Sequence, residues 1–600
     1  MKQDATAISS GRIVAGLAAL IVLAAFALRV WGVWFDLPDL PHPDEIHEVH
    51  RAVRLGMGSF EWDRTGKGGY FYLLFVEYGV YFVVLRLMGS VESVAEFMDL
   101  FIRDPSGFWL IGRTTTAALG ALNVWLTYRI GRRVAGEAVG LLAAFFLAFC
   151  FLDVLHSHFV TVDVPMTTGV LATVFFAFRI LDRGRLRDYL LAGAFAAIAT
   201  MTKLPAAPVV LVVALCHGLR CRDEHRPWWA IVLDQRIIAS GALCLLVYIA
   251  GNPGILNNPA TLTSLASSIA VGRPQTAAAV VERPEGNISY YARATRDALG
   301  WPLSLWVVPA TVMALWRRSR GMIVVLLFPA LLYPAIVVTG SDWRHARFIL
   351  PALPFLLIAG AALLWRVTTA LLQKSSSRAA FASVFALLLI LPPSIEVFRQ
   401  NMDLCRPGTP SMARHWIEEN IPENTRILVE GFPGIRTYRR MCPIADMPQN
   451  MQAFARHLEE HSPVGARLVR LRAKAQTEKA FDLAIIEPSQ SWITLDEARQ
   501  RNMQFVVVCR EEFVESPQAN SDGRRAFYEA LQRDPRVRLR KSFAPKYVSI
   551  HDSMHRDAHL EIYELKKLYE NARRARTGEN LSARQAASYT LTAAPEESSR

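Results

Sequence analysis

Asp44 and Glu45 stand side by side in His42-Pro43-Asp44-Glu45, just after an apolar stretch at Ile13–Phe35. Two adjacent carboxylates at the mouth of an apolar segment are costly to bury and are not needed for helix packing, so they point to acid or base chemistry at a membrane surface. Pro43 suits the first position of a helix, where its missing N–H costs nothing. Asp44 and Glu45 would then lie in the first turn, where the helix dipole favours negative charge, so both also fit as N-terminal charge complements. Neighbours on a helix do not share a face. One of the two therefore points at a reacting atom, and Asp44 is the candidate. Glu45 is counted with the catalytic acids as the support of that loop. Glu48 and Arg51 follow on the face of Asp44.

A further carboxylate, Asp163, closes His156-Ser157-His158-Phe159-Val160-Thr161-Val162-Asp163 and opens the next apolar run at Val164-Pro165. A carboxylate at a span boundary reads as functional, and equally as the N-cap of the helix that follows. Four cations fall at comparable boundaries: Lys67 in Thr65-Gly66-Lys67-Gly68-Gly69-Tyr70, Lys203 in Met201-Thr202-Lys203-Leu204-Pro205, and Arg344 and Arg347 in Asp342-Trp343-Arg344-His345-Ala346-Arg347. Each alone could snorkel to lipid headgroups. Together with the carboxylates they suggest a site for a phosphate-bearing lipid, in which the cations hold phosphate and a carboxylate takes a proton from an acceptor. His42, His47, Glu48 and His50 raise a metal reading. His47-Glu48-Val49-His50 is one residue short of the spacing that puts two imidazoles on one helix face. A loosely bound divalent ion beside Asp44 stays open as an alternative, with no ligand set assigned.

The elements that must position these residues are spans. The chain has 600 residues, 52% of them hydrophobic, with a mean hydropathy of +0.22, which fits a polytopic membrane protein carrying a polar appendage. Its formal net charge of +13 does not argue for nucleic acid, because the arginines crowd short loops between apolar runs, as cytoplasmic loops do. The candidate spans are 13–35, 108–130, 138–152, 164–181, 189–202, 205–219, 237–251, 301–316, 321–339, 348–366 and 379–396. The basic loops are those of Arg129/Arg132/Arg133, Arg179/Arg183/Arg185/Arg187, Arg220/Arg222/Arg226, Arg317/Arg318/Arg320 and Arg366/Lys374/Arg378. They alternate with the loops that hold the candidate site. A cytoplasmic N-terminus (Lys2, Arg12) then needs about eleven crossings, and the apolar segment 69–88, with Glu77 in its middle, lies flat as an interfacial helix. Residues 36–107 form a first external loop. The first span lacks a small-residue cleavage site after it and reads as an uncleaved anchor. None of the seven cysteines forms a CxxC pair. Cys405–Cys442 is the pairing expected if the C-terminal region is outside the cytosol.

The fold class expected is therefore an α-helical polytopic membrane protein over 1–396 with a C-terminal α/β domain over 397–566 on the external side. Strands are predicted at Arg426–Glu430, Phe481–Ile486, Phe505–Val508 and His559–Leu565. Residues 567–600 read as a disordered tail. No internal repeat is evident.

These residues resemble the polytopic, lipid-phosphate-dependent glycosyltransferases of the C-type superfamily, including bacterial relatives of the protein O-mannosyltransferases and of the lipid A aminoarabinose transferases. The resemblance runs over roughly residues 10–430, by the order and spacing of its parts. They are Arg29, Pro43-Asp44-Glu45, Arg113, Gly131-Arg132-Arg133, Asp163, Thr202-Lys203-Leu204-Pro205 and Arg347-Phe348-Ile349-Leu350-Pro351-Ala352-Leu353-Pro354. Asp403 and Trp416-Ile417-Glu418-Glu419-Asn420-Ile421-Pro422 resemble the start of such proteins' external domain. Where many relatives carry a Pro-Pro pair after a Lys or His, this chain has Lys67-Gly68-Gly69-Tyr70, whose glycines are expected to loosen the backbone.

The resemblance implies a glycosyltransferase of the inner (plasma) membrane. It would move a hexose or pentose from a polyprenyl-phosphate donor to a lipid, glycan or protein acceptor at the external face, with inversion. Lys67, Lys203, Arg344 and Arg347 would bind the lipid phosphate, Asp44 would act as base and Asp163 would assist. The rival classes are a transporter or flippase of a lipid-linked substrate, which predicts charges deep in several spans and symmetry between halves, and a phosphoethanolamine-type transferase with a metal site in its soluble domain. For the second, His551, Asp552, His555 and His559 are the residues to inspect.

Overall fold

The computed structural model describes residues 2–39, 42, 44–58, 68–257, 286–317, 319–339, 345–430, 444–459, 463–475, 479–486, 492–509, 522–544 and 559–565. Pro43, Lys67, Arg344, Cys442, His551, Asp552, His555 and the tail 567–600 lie outside the described residues.

In chain order the membrane part comprises α1 (Lys2–Val30), α2 (Glu45–Gly56), α3 (Tyr70–Leu87), α4 (Val94–Arg103), α5 (Ser106–Ala135), α6 (Glu137–Ala148), α7 (Phe151–His156), α8 (Asp163–Arg183), α9 (Leu186–Thr202) and α10 (Val210–Asp223). It continues with α11 (Ala230–Leu233), α12 (Gln235–Gly251), α13 (Gly254–Asn257), α14 (Asn287–Trp316), α15 (Arg320–Thr339), α16 (Leu353–Leu371) and α17 (Ser375–Leu404). Short 3-10 turns at Leu204–Val209 and Ala346–Ala352 lead into α10 and α16.

By length and composition, seven helices of the described residues could cross a membrane, and 137–148, 235–251 and 320–336 are shorter apolar helices. Two of the expected spans fall outside both groups. The helix α9 has 17 residues, and α5 carries Arg113 and Asn123 within its length. At the centre lie α8 and α16, whose Val170, Leu171, Val174, Phe355, Leu357 and Ile358 are fully buried. Outer helices turn Leu20, Leu23, Val80, Leu387 and Leu388 outward, the pattern of a bundle whose solvent is hydrocarbon.

Four of the five basic loops are tied to one another. Arg133 pairs with Asp182, Arg320 Nη1 lies 2.6 Å from Asp223 Oδ1, and Arg236 Nη1 donates to the Gly184 carbonyl at 2.9 Å. The connections after α5, α8, α10 and α14 therefore share one face, and the candidate site lies at the other ends of these helices.

The helix α3 has the length and composition of a span, and its first turn meets the site face. Before its first turn, Gly68 N donates to Met201 O at 2.7 Å, and Tyr72 OH donates to Gly251 O at 3.2 Å. Beyond its last turn, α4 packs against a helix of the C-terminal domain. The glycines that precede α3 serve close approach rather than looseness. A Cβ at Gly68 would sit 2.1 Å from Gly251 O, and one at Gly69 would sit 2.1 Å from Thr202 Oγ1.

The C-terminal part contains α18 (Thr409–Asn420), α19 (Pro448–Leu458), α20 (Pro463–Ala475), α21 (Leu495–Gln500) and α22 (Asp522–Arg533) around a sheet. Its strands are β1 (Arg426–Glu430), β2 (Ala445–Asp446), β3 (Ala480–Ile486), β4 (Phe505–Cys509), β5 (Val537–Phe543) and β6 (Leu560–Leu565), in the order β2-β3-β1-β4-β6-β5. The first four are parallel, and β6 runs antiparallel to β4 and β5. Alternation along β1 sends Ile427 and Val429 to one layer with Ala413 and Ile417, and Leu428 to the other with Phe527 and Leu531. All four predicted strands are present. The sequence reading missed β2, which is two residues long, and β5, whose Val537-Arg-Leu-Arg-Lys-Ser-Phe543 is mostly exposed and charged.

At the end of β1 the buried Glu430 accepts from Cys509 N at 2.8 Å and Tyr528 OH at 2.6 Å, and pairs with Arg524 at 2.7 Å. Removing one partner of a buried pair strands the other. Glu430→Ala is expected to destabilise this domain by about 3–5 kcal/mol, readable as a lowered unfolding temperature of the purified chain.

Candidate active site

Four of the expected residues meet, each from a different stretch of chain. Asp44 is the N-cap of α2 and makes no side-chain cap bond. Its Oδ2 lies 2.9 Å from Arg347 Nη2. Arg347 sits on the 3-10 turn Ala346–Ala352 and also reaches Asp163, with Nε 3.7 Å from Oδ2. The other oxygen of Asp163 accepts from Lys203 Nζ at 2.5 Å, and that ammonium lies over the Phe348 ring, 4.7 Å from its centroid. The order is thus Asp44–Arg347–Asp163–Lys203, alternating in sign. Asp163 is 2% exposed while Asp44 is 34% exposed, so Asp44 is the more accessible of the two carboxylates. The N-cap of α8 is Val162, without a side-chain cap bond. The Asp163 carboxylate serves the cluster instead.

Glu45 turns its carboxylate into the protein interior. It is fully buried, and both its oxygens are occupied: Arg113 Nε and Nη2 donate at 2.8 Å each, and Val160 N donates at 2.9 Å. Arg113 Nη1 in turn donates to Val33 O and Phe35 O, and its guanidinium covers the Phe35 ring at 3.7 Å. This bidentate fork fixes the start of α2 to α5 and to the segment that leads into Asp163. It sets the spacing of the two aspartates. Arg113→Ala is expected to cost about 3–5 kcal/mol by leaving Glu45 charged and unmatched in the interior. Thermal unfolding in detergent reads that loss, and Arg113→Lys should restore only part of it because an ammonium cannot form the fork.

The histidines separate. His42 stacks on Phe159 with centroids 4.2 Å apart, and burial holds its pKa below the ordinary value. His50 faces Phe101 and Trp109, where burial pushes its pKa down to about 3. Glu48 pairs with Arg51 at 2.8 Å. Among the described residues no group of three or more His, Cys, Asp or Glu is arranged to hold a metal ion.

Sequence reasoning missed Asp153. It is buried and pairs with Arg29 at 2.5 Å. Arg29 also donates to Leu147 O and Ala148 O, carbonyls left over where α6 ends. The signal was a lone arginine late in the first span, which needs a partner inside the bundle.

Residues 106–266 match the family model described as dolichyl-phosphate-mannose-protein mannosyltransferase. The matched stretch contains Asp163 and Lys203 of the cluster and the supporting Arg113, while Asp44 and Arg347 lie on either side of it. No curated protein sequence matches the chain. Among solved structures, the apo oligosaccharyltransferase of Archaeoglobus fulgidus is similar at 13% identity, covering 83% of this chain and 69% of that one, with a TM-score of 0.46. ArnT from Cupriavidus metallidurans bound to undecaprenyl phosphate is similar at 15% identity, covering 91% and 98%, with a TM-score of 0.45. The mycobacterial arabinofuranosyltransferase AftD is similar at 16% identity, covering 93% and 40%, with a TM-score of 0.43.

Proposed function

We propose that this chain transfers a sugar from a polyprenyl-phosphate donor to an acceptor hydroxyl at the external face of the plasma membrane, with inversion at the anomeric carbon. The observation that carries the reading is the convergence of Asp44, Arg347, Asp163 and Lys203 at one set of span ends. A transporter would instead favour charges deep among the spans.

The acceptor oxygen attacks the anomeric carbon as the bond from that carbon to the phosphate oxygen breaks. The electron pair goes to the departing lipid phosphate, where Arg347 and Lys203 stabilise the charge that develops. The acceptor's proton goes to Asp44. Asp163, held between the two cations, orients them. Lys67 and Arg344 are proposed as further phosphate contacts from adjoining segments. The phosphate displaces carboxylate from Arg347 as it binds, so the donor's arrival releases Asp44 to act as base. The alternating salt bridges are then the resting form of the site. The helix α3, lying along the face, and the C-terminal domain above it border the acceptor path.

Mass spectrometry of envelope lipids, glycans and proteins from cells with and without the gene tests the activity. The expected result is one class of molecule lacking one sugar. Unchanged acceptors together with a lipid-linked sugar stranded on the cytoplasmic leaflet would replace the transferase reading with the flippase one.

A further inference from the structure

The loop that ends in Asp44 is tied to the C-terminal domain on the side that precedes it. Asp36 Oδ1 accepts from Gly408 N at 2.5 Å. Asp39, five residues before Asp44, pairs with Arg414, and both side chains are largely buried, at 6% and 16% exposure. Glu418 Oε1 holds the Arg414 Nε at 2.7 Å and so aims the guanidinium. The backbone just ahead is equally fixed. Asn401 Nδ2 donates to Leu28 O at 2.7 Å, and Gly32 passes so close to Leu404 that a Cβ would lie 2.9 Å from its side chain. Arg414 belongs to α18, and that helix is not a loose strap. Its Ala413 and Ile417 are fully buried in the same layer as Ile427, Val429 and Phe481 of the sheet. On the far side of the loop, α4 packs against α20, and α2, which Asp44 caps, packs on α3.

We infer that Arg414 is a positioning residue: through Asp39 it sets where Asp44 stands, so that the C-terminal domain holds the base in register with Arg347 and Asp163. This rests on the proposed role of Asp44. The fold requires only that α18 sit on the sheet, and its apolar face does that. The guanidinium points the other way, into the loop. A displacement of about 1 Å at a reacting group costs up to about 100-fold in rate, so a remote ion pair can govern turnover without touching substrate.

The test uses the full chain in nanodiscs with a synthetic polyprenyl-phosphomannose probe and hydrogen exchange. Arg414→Ala is expected to lower kcat about 10- to 100-fold with KM for the probe within twofold, and to speed exchange in the segment 36–56 while the central helix α8 exchanges as before. The exchanged pair Asp39→Arg with Arg414→Asp is expected to recover most of the rate and the protection. A purely structural role would lower the amount of folded protein and leave kcat per folded molecule unchanged. That outcome, or loss confined to KM, overturns the inference. If the native chain does not turn over the probe, transfer from a mannose donor fails on its own. The exchange pattern and its recovery by the swapped pair still decide whether Arg414 governs the loop, and an unaltered 36–56 segment in Arg414→Ala overturns it.

Discussion

Asp44→Asn leaves the chain folded and inserted but lowers sugar transfer about 10²- to 10⁴-fold, the usual worth of a positioned general base. The amide has nearly the size of the carboxylate, and Asp44 is partly exposed without a side-chain cap bond, so the fold loses little. The informative readout is binding. In the native chain the Asp44 carboxylate holds Arg347 at 2.9 Å, and a lipid phosphate has to compete for that guanidinium. Removing the negative charge removes the competitor. An ion pair this exposed is worth about 0.2–1 kcal/mol, so the variant should bind undecaprenyl phosphate about 1.4- to 5-fold more tightly while it fails to transfer. Titration calorimetry or a fluorescent lipid phosphate in nanodiscs measures the first, and turnover of a lipid-linked sugar measures the second. Near-normal transfer by Asp44→Asn would strip Asp44 of the base's role. Weaker phosphate binding would show that Asp44 helps to build the phosphate site rather than to mask it.

Much of the site was legible because charge is expensive in hydrocarbon. A carboxylate at position 44 or 163, or a cation at 203 or 347, stands out against apolar neighbours and needs a reason, and the basic loops sort these positions to one face. The four then meet without help from any local motif. What sequence could not supply was pairing. Glu45 and Asp44 look alike in a string, yet one is enclosed by the Arg113 fork and the other is open to the site. The difference depends on α5 approaching from more than sixty residues away. Arg29 with Asp153, and Asp39 with Arg414, are long-range pairs of the same kind. In the C-terminal domain the buried parallel strands announce themselves as runs such as Phe505-Val-Val-Val-Cys509. The edge strand β5 carries Arg538, Arg540 and Lys541 among its seven residues, as edges that avoid pairing with other chains do, and so reads as loop. The Gly68-Gly69 pair was legible as a backbone requirement, but its cause, the close passage over Thr202 and Gly251, lies in tertiary structure.

Arg347→Ala is expected to weaken use of the lipid-linked donor far more than use of the acceptor. Arg347 is 15% exposed and stands between Asp44 and Asp163, held on a 3-10 turn that packs against α8 and α16. Its position is set by buried Ile349, Leu350 and Pro351 rather than by the ion pairs, so the guanidinium can exchange a carboxylate for a phosphate without moving the backbone. A hydrogen bond to a charged partner contributes about 1.5–3 kcal/mol, which corresponds to about a 10- to 150-fold rise in the donor's dissociation constant. Asp163 keeps Lys203 at 2.5 Å, so it remains neutralised and the bundle remains folded. Arg347→Lys should recover only part of the affinity, because an ammonium offers a point charge where the guanidinium offers two parallel donors. Binding of undecaprenyl phosphate should fall in parallel with donor use, whereas binding of the uncharged alcohol undecaprenol should not change. Equal losses for phosphate and alcohol would assign Arg347 to the lipid chain's groove, and an unaltered donor dependence would remove it from phosphate recognition altogether.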